Sequence, residues 1–376
     1  MGDVDASAWN ELLARQDAPT PFMRHEYLAA LEDSGSATAR TGWTPSHVTL
    51  WRGPSLEAAC PLYLKDHSYG EYVFDWAWAH AYEQHGLDYY PKALVAVPFT
   101  PVPGSRLLAR DDAARQALLK HVLALCRRGQ LSSLHLLFLS DADQRACAGA
   151  GLMARQTVQF HWMHQGWADF DAFLANLSQD KRKKIRQERR KVAEAGVRFR
   201  VAEGAGITRA DWDFFYRCYE RTYREHGNPP YLRREFFQRM DHDLASHWVL
   251  FVAERDGRPI ACSLVALSLD AQGRPEVAYG RYWGALERVD CLHFEACYYQ
   301  PLQWCIEHGV RRFEGGAQGE HKMARALLPV PTHSAHWLAH PAFADAVQRF
   351  LDREGQGIEH YLEHLEARSP FRRTGD

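Results

Sequence analysis

The 376-residue sequence lacks any uninterrupted apolar run of the roughly 18 to 20 residues that a membrane-spanning helix needs. Residues 1–10 also lack the basic segment and apolar core of a secretory signal peptide. These absences argue against a helical membrane protein and against secretion by a signal peptide. We therefore expect a cytoplasmic protein with no membrane span.

The eight cysteines include no Cys-x-x-Cys pair, the spacing typical of zinc and redox sites. Several lie in apolar runs such as residues 261–267, so we expect buried, reduced thiols. Two other patterns have metal-like spacing. They are His360, Glu363 and His364, and His333, His336 and His340. Neither pattern has a defined further ligand, so we predict no metal site.

Aromatic residues are abundant, with 12 Trp, 16 Tyr and 18 Phe, and 46% of all residues are hydrophobic. Disordered chains are poor in such residues because they cannot bury enough apolar surface to offset chain entropy. The sequence therefore predicts a folded protein. Its length exceeds that of a usual single domain, so two domains are expected.

The hydrophobic periodicity predicts strands and helices in both parts of the chain. In the first part it predicts helices at 22–31 and 112–127 and strands at 47–51, 58–64 and 134–139. In the second part it predicts strands at 197–201, 248–254, 259–269, 276–281 and 311–314, and helices at 210–225, 231–243, 292–308 and 341–367. An Asp256-Gly257 turn joins two of these strands as a hairpin.

This order of elements predicts an α/β (α+β) fold with mixed sheets. We expect an N-terminal half at 1–168, connecting helices at 169–196 and a C-terminal half at 197–376. Three prolines restrict Val95–Pro103 to a sheet edge or an ordered loop, because proline donates no hydrogen bond to a strand ladder.

An aromatic run alternates as in a strand: Tyr72, Phe74, Trp76, Trp78 and Tyr82. Most aromatic residues in such runs belong to a core. Polar neighbours also suggest a substrate pocket. They are Asp75, His80, Glu83 and His85.

Residues 181–191 hold eight Lys or Arg and one Glu, a net charge of +7 in a chain whose total is −2. The remaining residues therefore carry −9. This segment predicts a basic helix that binds phosphates, because Lys and Arg gain affinity by releasing counterions. The residues expected to bind are Lys181, Arg182, Lys184, Arg186, Arg189 and Arg190. The alternative is a solvated helix packed on acidic surface.

Residues 248–330 contain WVLFVAERDGRPIACSLVAL and VAYGRYWGALERVDCLHFEACYYQPLQWCIEHGVRRFEGGAQGEHKMARALLPV. This segment resembles the second half of the Fem-type aminoacyltransferases, and more closely the FemAB-like family of peptidoglycan biosynthesis or recognition. FLANLSQDKRKKIRQERRKVAEAGV resembles the basic stretch between the halves of that family, and VPFTPVPGSRLL resembles a loop motif of its first half. The resemblance implies tandem GNAT-like domains, related to the acyl-CoA N-acyltransferases.

The resemblance also implies an acyltransferase that moves an aminoacyl group from aminoacyl-tRNA to an amine acceptor, either small or a cell-wall precursor. GNAT enzymes that use coenzyme A carry Gln/Arg-x-x-Gly-x-Gly/Ala, and the nearest match, from Arg281 to Leu286, fails at its last position. We therefore expect no cofactor. A transferase using acetyl-CoA or another acyl-CoA is the alternative, and a catalytically silent module that binds nucleic acid or a glycan is another.

Acyl transfer needs an aligned amine, a base and a group that stabilises the oxyanion. Residues 315–325, directly after a predicted strand, concentrate such groups, and the resemblance implies a Lys there that helps to hold the reacting carbonyl. Lys322 and Arg325 both fit that place. The predicted catalytic residues are Glu295, Glu314, Glu320, His321, Lys322 and Arg325, and Arg281, His293 and Gln318 are predicted to bind substrate. The alternatives are a solvated glycine turn, an acid near a helix N-terminus and a structural ion pair.

Overall fold

The computed structural model describes residues 1–316, 319–366 and 368–372. The strands are β1 Trp43–Pro45, β2 Val48–Arg52, β3 Ser55–Cys60, β4 Leu62–Lys65, β5 Lys92–Val95, β6 Leu108–Ala109, β7 Ser133–Leu137, β8 Met153–Met163, β9 Val197–Glu203, β10 Trp248–Arg255, β11 Arg258–Leu269, β12 Pro275–Ala285, β13 Arg312–Glu314 and β14 Leu328–Leu338.

The α-helices are α1 Ala6–Ala14, α2 His25–Asp33, α3 Trp76–Gln84, α4 Asp112–Arg128, α5 Asp141–Gly149, α6 Phe170–Ala175, α7 Gln179–Glu194, α8 Arg209–Glu225, α9 Arg234–Asp243, α10 Leu292–Phe294, α11 Gln300–Glu307 and α12 Pro341–Glu366. A π-helical turn, Glu295–Tyr299, joins α10 to α11, and short 3-10 helices include Glu320–Arg325. Within the described residues, no helix is both long and apolar enough to cross a membrane.

Contacts between Cα atoms divide the chain into two compact units. The first contains Met1–Thr157 and Pro331–Tyr361, and the second contains Val158–Val330 and Leu362–Asp376. The sequence-predicted limits of independent domains stay a prediction. Residues 331–361 nevertheless group with the first unit, although those limits place them in the C-terminal half.

In the first unit, a mixed sheet has the strand order β1, β4, β5, β7, β14, and β5 and β7 run parallel. A second, antiparallel sheet contains β2, β3 and β6. Helix α4 places Leu118, Leu119 and Val122 against these strands, and all three are fully buried. Its apolar residues recur three and four positions apart, which gives the helix one continuous apolar face.

In the second unit, a mixed sheet has the strand order β9, β10, β11, β12, β13, β8. The predicted hairpin is confirmed as β10 and β11, and its turn residues, Asp256 and Gly257, both have positive φ angles. Strands β12 and β13 run parallel and are joined by the helical segment from α10 to α11. This arrangement confirms the predicted mixed α/β class.

The strand-like interpretation of the aromatic run at residues 72–82 is wrong, because α3 begins at Trp76. Trp78 and Tyr82 are one helical turn apart and pack against Val347 and Leu351 of α12. These residues form a core. Phe74 and Trp76, by contrast, are exposed.

Candidate active site

A pocket of about 130 Å³ lies in the second unit at the centre of its sheet. Its lining residues are Ser263, Leu264, Val265, Gly280, Arg281, Tyr282, Trp283, His293, Cys297, Tyr298 and Gly315. The register of β11 on β12 shifts here, since Leu264 pairs with Tyr282 and Val265 pairs with Gly280. Arg281 is therefore the extra residue of a β-bulge, a feature that redirects side chains beside many active sites.

The helical segment after β12 supplies a second wall of this pocket. His293 contacts the rings of Trp283 and Tyr298, with ring centroids 5.4 and 5.8 Å away. Burial, together with the charges of Arg325 and other neighbours, lowers the pKa of His293 to about 4. The imidazole is therefore neutral at pH 7. The π-turn that begins at Glu295 places Cys297 and Tyr298 in the lining, and π-turns occur frequently at functional sites.

Lys322 extends beside the wall of the pocket that Gly315 forms. A Cβ atom on Gly315 would lie 3.4 Å from Cδ of Lys322 and 2.5 Å from Cδ2 of Leu327, so a larger residue here would force the buried Leu327 side chain to move. The Lys322 ammonium is buried and donates to the carbonyl oxygen of Gly316 at 2.8 Å. Burial lowers the pKa of Lys322 to about 8. A buried cation with a neutral partner is thus held next to the pocket.

Glu314 ends β13, immediately before Gly315. It is 3% exposed, and neither of its carboxylate oxygens has a hydrogen bond within the described residues. Arg312 lies 3.1 Å away as an ion pair, and His161 lies 3.8 Å away. Burial raises the pKa of Glu314 to about 7, although Arg312 and Arg281 oppose that rise. A carboxylate with such a pKa is suited to proton transfer near neutral pH.

Arg325 belongs to a buried ionic network rather than to the lining of the pocket. Its guanidinium donates to both carboxylate oxygens of Glu188, at 2.9 and 3.1 Å, and to the carbonyl oxygen of His321 at 2.8 Å. It also lies 3.6 Å from the centroid of the Phe294 ring. The Tyr299 hydroxyl donates to the same Glu188 carboxylate. Arg325 therefore anchors the 3-10 segment Glu320–Arg325 to helix α7.

His321 and Glu320 line a separate cavity of about 260 Å³ together with Lys181 and Arg368. The Nε2 atom of His321 lies 3.2 Å from the hydroxyl of Tyr298, which lines the first pocket. Burial, then the charges of Lys322 and Arg325, lowers the pKa of His321. The predicted binding residue Gln318 lies outside the described residues.

Glu295 lies in a third place, a cavity of about 660 Å³ between α7 and α11. Its carboxylate accepts hydrogen bonds from Arg189 at 3.1 Å and from Gln300 at 2.7 Å. Arg186 and Arg190 also line this cavity. The structure thus separates Glu295 from His293, although the two are only two residues apart in the sequence.

The remaining predicted cations lie along α7. Arg182 donates to the carbonyl oxygen of Ala175 at 3.3 Å, and Lys184 is exposed. Ile185, Glu188 and Val192 form the buried stripe of the helix. Sequence reasoning missed Glu188, although it lies three residues after Ile185 and four before Val192, on the same face.

The segment from Arg281 to Ala285 belongs to strand β12. A Cβ atom on Gly284 would lie 2.2 Å from the backbone oxygen of Cys218 in α8, so this glycine is required for packing. Packing against α8 therefore explains the glycine that makes this segment partly resemble a coenzyme A loop.

The metal-like patterns do not assemble around one point. The Nδ1 atom of His336 lies 2.7 Å from that of His135, and the Nδ1 atom of His360 lies 2.8 Å from the Gln356 carbonyl oxygen. In the part of the chain that the structure describes, no group of three or more His, Cys, Asp or Glu residues has the arrangement of a metal site.

Residues 1–373 match the model of the FemAB-like family, described as peptidoglycan biosynthesis/recognition. No curated protein matches the sequence. The fold is similar to the crystal structure of FemX, with 9% sequence identity and a TM-score of 0.56 over 92% of this chain and 98% of that one.

The fold is also similar to that of L-PGS from Bacillus licheniformis, with 11% identity and a TM-score of 0.54 over 92% of this chain and 97% of that one. The C-terminal domain of a putative lysylphosphatidylglycerol synthetase from Agrobacterium fabrum gives 11% identity and a TM-score of 0.54, over 93% of this chain and 95% of that one. At such identities these likenesses concern the fold. The family match covers nearly the whole sequence, and it confirms the predicted resemblance: the chain belongs to the FemAB-like family.

Proposed function

We propose that this protein is a cytoplasmic aminoacyltransferase that moves an aminoacyl group from aminoacyl-tRNA to a primary amine of a cell-wall precursor. The donor, the acceptor and the location are all part of the proposal. The family match supports the class of reaction, and FemX and L-PGS share the fold.

The observation that carries the proposal is the connection between the basic helix and the candidate active-site loop. Helix α7 buries Glu188 and directs Lys184, Arg186 and Arg190 to the exposed side. Glu188 in turn holds Arg325, which ends the segment containing Lys322. A tRNA whose phosphates bind these exposed cations would therefore contact helix α7. The ion pair between Glu188 and Arg325 connects this helix to the segment that contains Lys322.

In the proposed reaction, the acceptor amine attacks the ester carbonyl carbon that links the amino acid to the tRNA ribose. A C–N bond forms and the C–O bond to the ribose breaks. Glu314 takes the proton that the amine loses and gives it to the ribose oxygen as that oxygen leaves. Lys322 stabilises the oxyanion. Arg325 is not assigned this role, because its guanidinium already forms an ion pair with Glu188.

The direct test is transfer of labelled amino acids from charged bulk tRNA to a nucleotide-linked muramyl pentapeptide. We expect label in the peptide, and we expect acetyl-CoA neither to replace the tRNA nor to inhibit. Transfer of label from acetyl-CoA without tRNA would replace this proposal with a coenzyme A dependent acyltransferase. Acceptor binding without turnover from either donor would favour a silent recognition module.

A further inference from the structure

Three large aromatic side chains are exposed within one short segment of the first unit. Tyr69 is 59% exposed, Phe74 is 51% exposed and Trp76 is 41% exposed. The rings of Tyr69 and Trp76 meet edge to face, with centroids 4.9 Å apart and an interplanar angle of 62°. Clusters of exposed aromatic side chains mark interaction sites, because a bound partner removes their apolar surface from water.

A buried lysine in the protein interior holds the same segment in place. Lys92 donates to Ser68 at 2.8 Å, to Glu71 at 2.8 Å and to Asp75 at 2.5 Å. All four of these residues are buried. Along the segment, the buried polar residues alternate with the exposed aromatic residues. The hydrogen bonds of Lys92 therefore hold one side of the segment, and the other side exposes its rings to solvent.

The backbone is also constrained. Gly70 has a φ angle of 81°, and a Cβ atom there would lie 2.6 Å from the Phe99 ring. Arg155 donates to the carbonyl oxygen of Phe74 at 2.7 Å and forms an ion pair with Glu354. A surface that is rigid before binding loses little entropy when a ligand arrives.

The size of this aromatic surface favours a small ligand over a protein. Rings of 150–250 Å² that are about half exposed offer roughly 300 Å² in total. A stable protein partner requires about 800 Å² on each side.

The charges beside the aromatic surface favour an uncharged ligand over one that carries phosphates. Asp66 is exposed three residues before Tyr69, and Glu83 is exposed two turns after Trp76 on the same helix face. Carboxylates at these places repel a nucleic-acid backbone and anionic lipid headgroups.

We propose that Tyr69, Phe74 and Trp76 form a binding surface for an oligosaccharide. Pyranose rings with equatorial substituents have flat C–H faces that stack on aromatic rings. Their hydroxyl edges would reach polar neighbours such as Asp66 and His80. None of these three residues lines the candidate active site, and the proposal goes beyond the transfer reaction.

The test is calorimetric titration with two β-1,4-linked probes, tetra-N-acetylchitotetraose and cellotetraose, in the absence of tRNA. We expect at least one to bind, and we expect Trp76→Ala and Tyr69→Ala each to weaken that binding about tenfold or more. Trp51→Ala is the matched control, because Trp51 is 47% exposed in the same unit but lies elsewhere in the sequence. It should leave the affinity unchanged.

Failure of both probes to bind the wild-type protein would overturn the proposal. Equal affinities in the wild type and in both aromatic variants would also overturn it, as would binding of single-stranded RNA or anionic vesicles that depends on Trp76. The three substituted side chains are exposed, so thermal unfolding should confirm that each variant remains folded.

Discussion

Two buried lysines, Lys92 in the first unit and Lys322 in the second, have opposite surroundings. In the first unit, Lys92 is fully buried between the carboxylates of Glu71 and Asp75, which raise its pKa despite burial. In the second unit, Lys322 is 3% exposed and donates to a backbone carbonyl, and its pKa falls to about 8. A buried cation that is paired with carboxylates is suited to structure, whereas one whose hydrogen-bond partner among the described residues is a neutral carbonyl can stabilise a negative charge that develops during a reaction.

The largest expected effect is the loss of stability when Lys92 is replaced. Lys92→Met leaves Glu71 and Asp75 buried without their counter-charge, and breaking such a pair costs about 3–5 kcal/mol. Urea unfolding should show this loss in the free energy of unfolding. Lys322→Met is the matched variant, and it should leave the stability unchanged or raise it. Equal destabilisation by both substitutions would remove the distinction between the two lysines.

The next largest effect is on catalysis. Lys322→Met should lower kcat by about 100-fold to 1000-fold, as expected when one oxyanion donor is removed. Single-turnover measurements with labelled aminoacyl-tRNA would check this decrease. Replacement of Arg325 is not a suitable control for this measurement, because it would leave the buried Glu188 without its ion pair and so destabilise the fold. A normal kcat for Lys322→Met would show that the lysine is structural after all.

A smaller effect is expected in the pH profile of kcat/KM. Glu314 must be ionised to accept a proton, so the rate should rise with pH up to its pKa of about 7. Lys322 must be protonated, so the rate should fall above its pKa of about 8. Glu314→Gln should remove the acidic limb of the profile and lower the rate by about 100-fold. If the acidic limb survives in this variant, another group is the base.

The sequence predicted the elements with strong local patterns. The hairpin of β10 and β11 follows from its turn chemistry, and α4 follows from its helical spacing of apolar residues. Strand β14 was missed, because Pro329 and Pro331 are unusual in a strand. The packing of α12 in the first unit depends on contacts between residues far apart in the sequence, and local patterns carry no such information.

The candidate site was predicted in part. The sequence indicated the loop after β13 because polar residues and glycines are concentrated there. It did not separate Glu295 from His293, because the direction of each side chain depends on the π-turn. It also left Lys322 and Arg325 equivalent, since the partner of Arg325 is an acid more than 130 residues earlier in the chain.

The most direct test of the central claim is binding of labelled bulk aminoacyl-tRNA across a salt series, with acetyl-CoA as competitor. We expect binding that weakens steeply with salt and that acetyl-CoA does not affect. The double variant Arg186→Glu with Arg190→Glu should reduce the slope of log affinity against log salt by roughly 1.4 to 1.8. The control pair, Arg349→Glu with Arg353→Glu on α12, should leave it unchanged. Absence of tRNA binding, together with saturable binding of acetyl-CoA, would contradict the account.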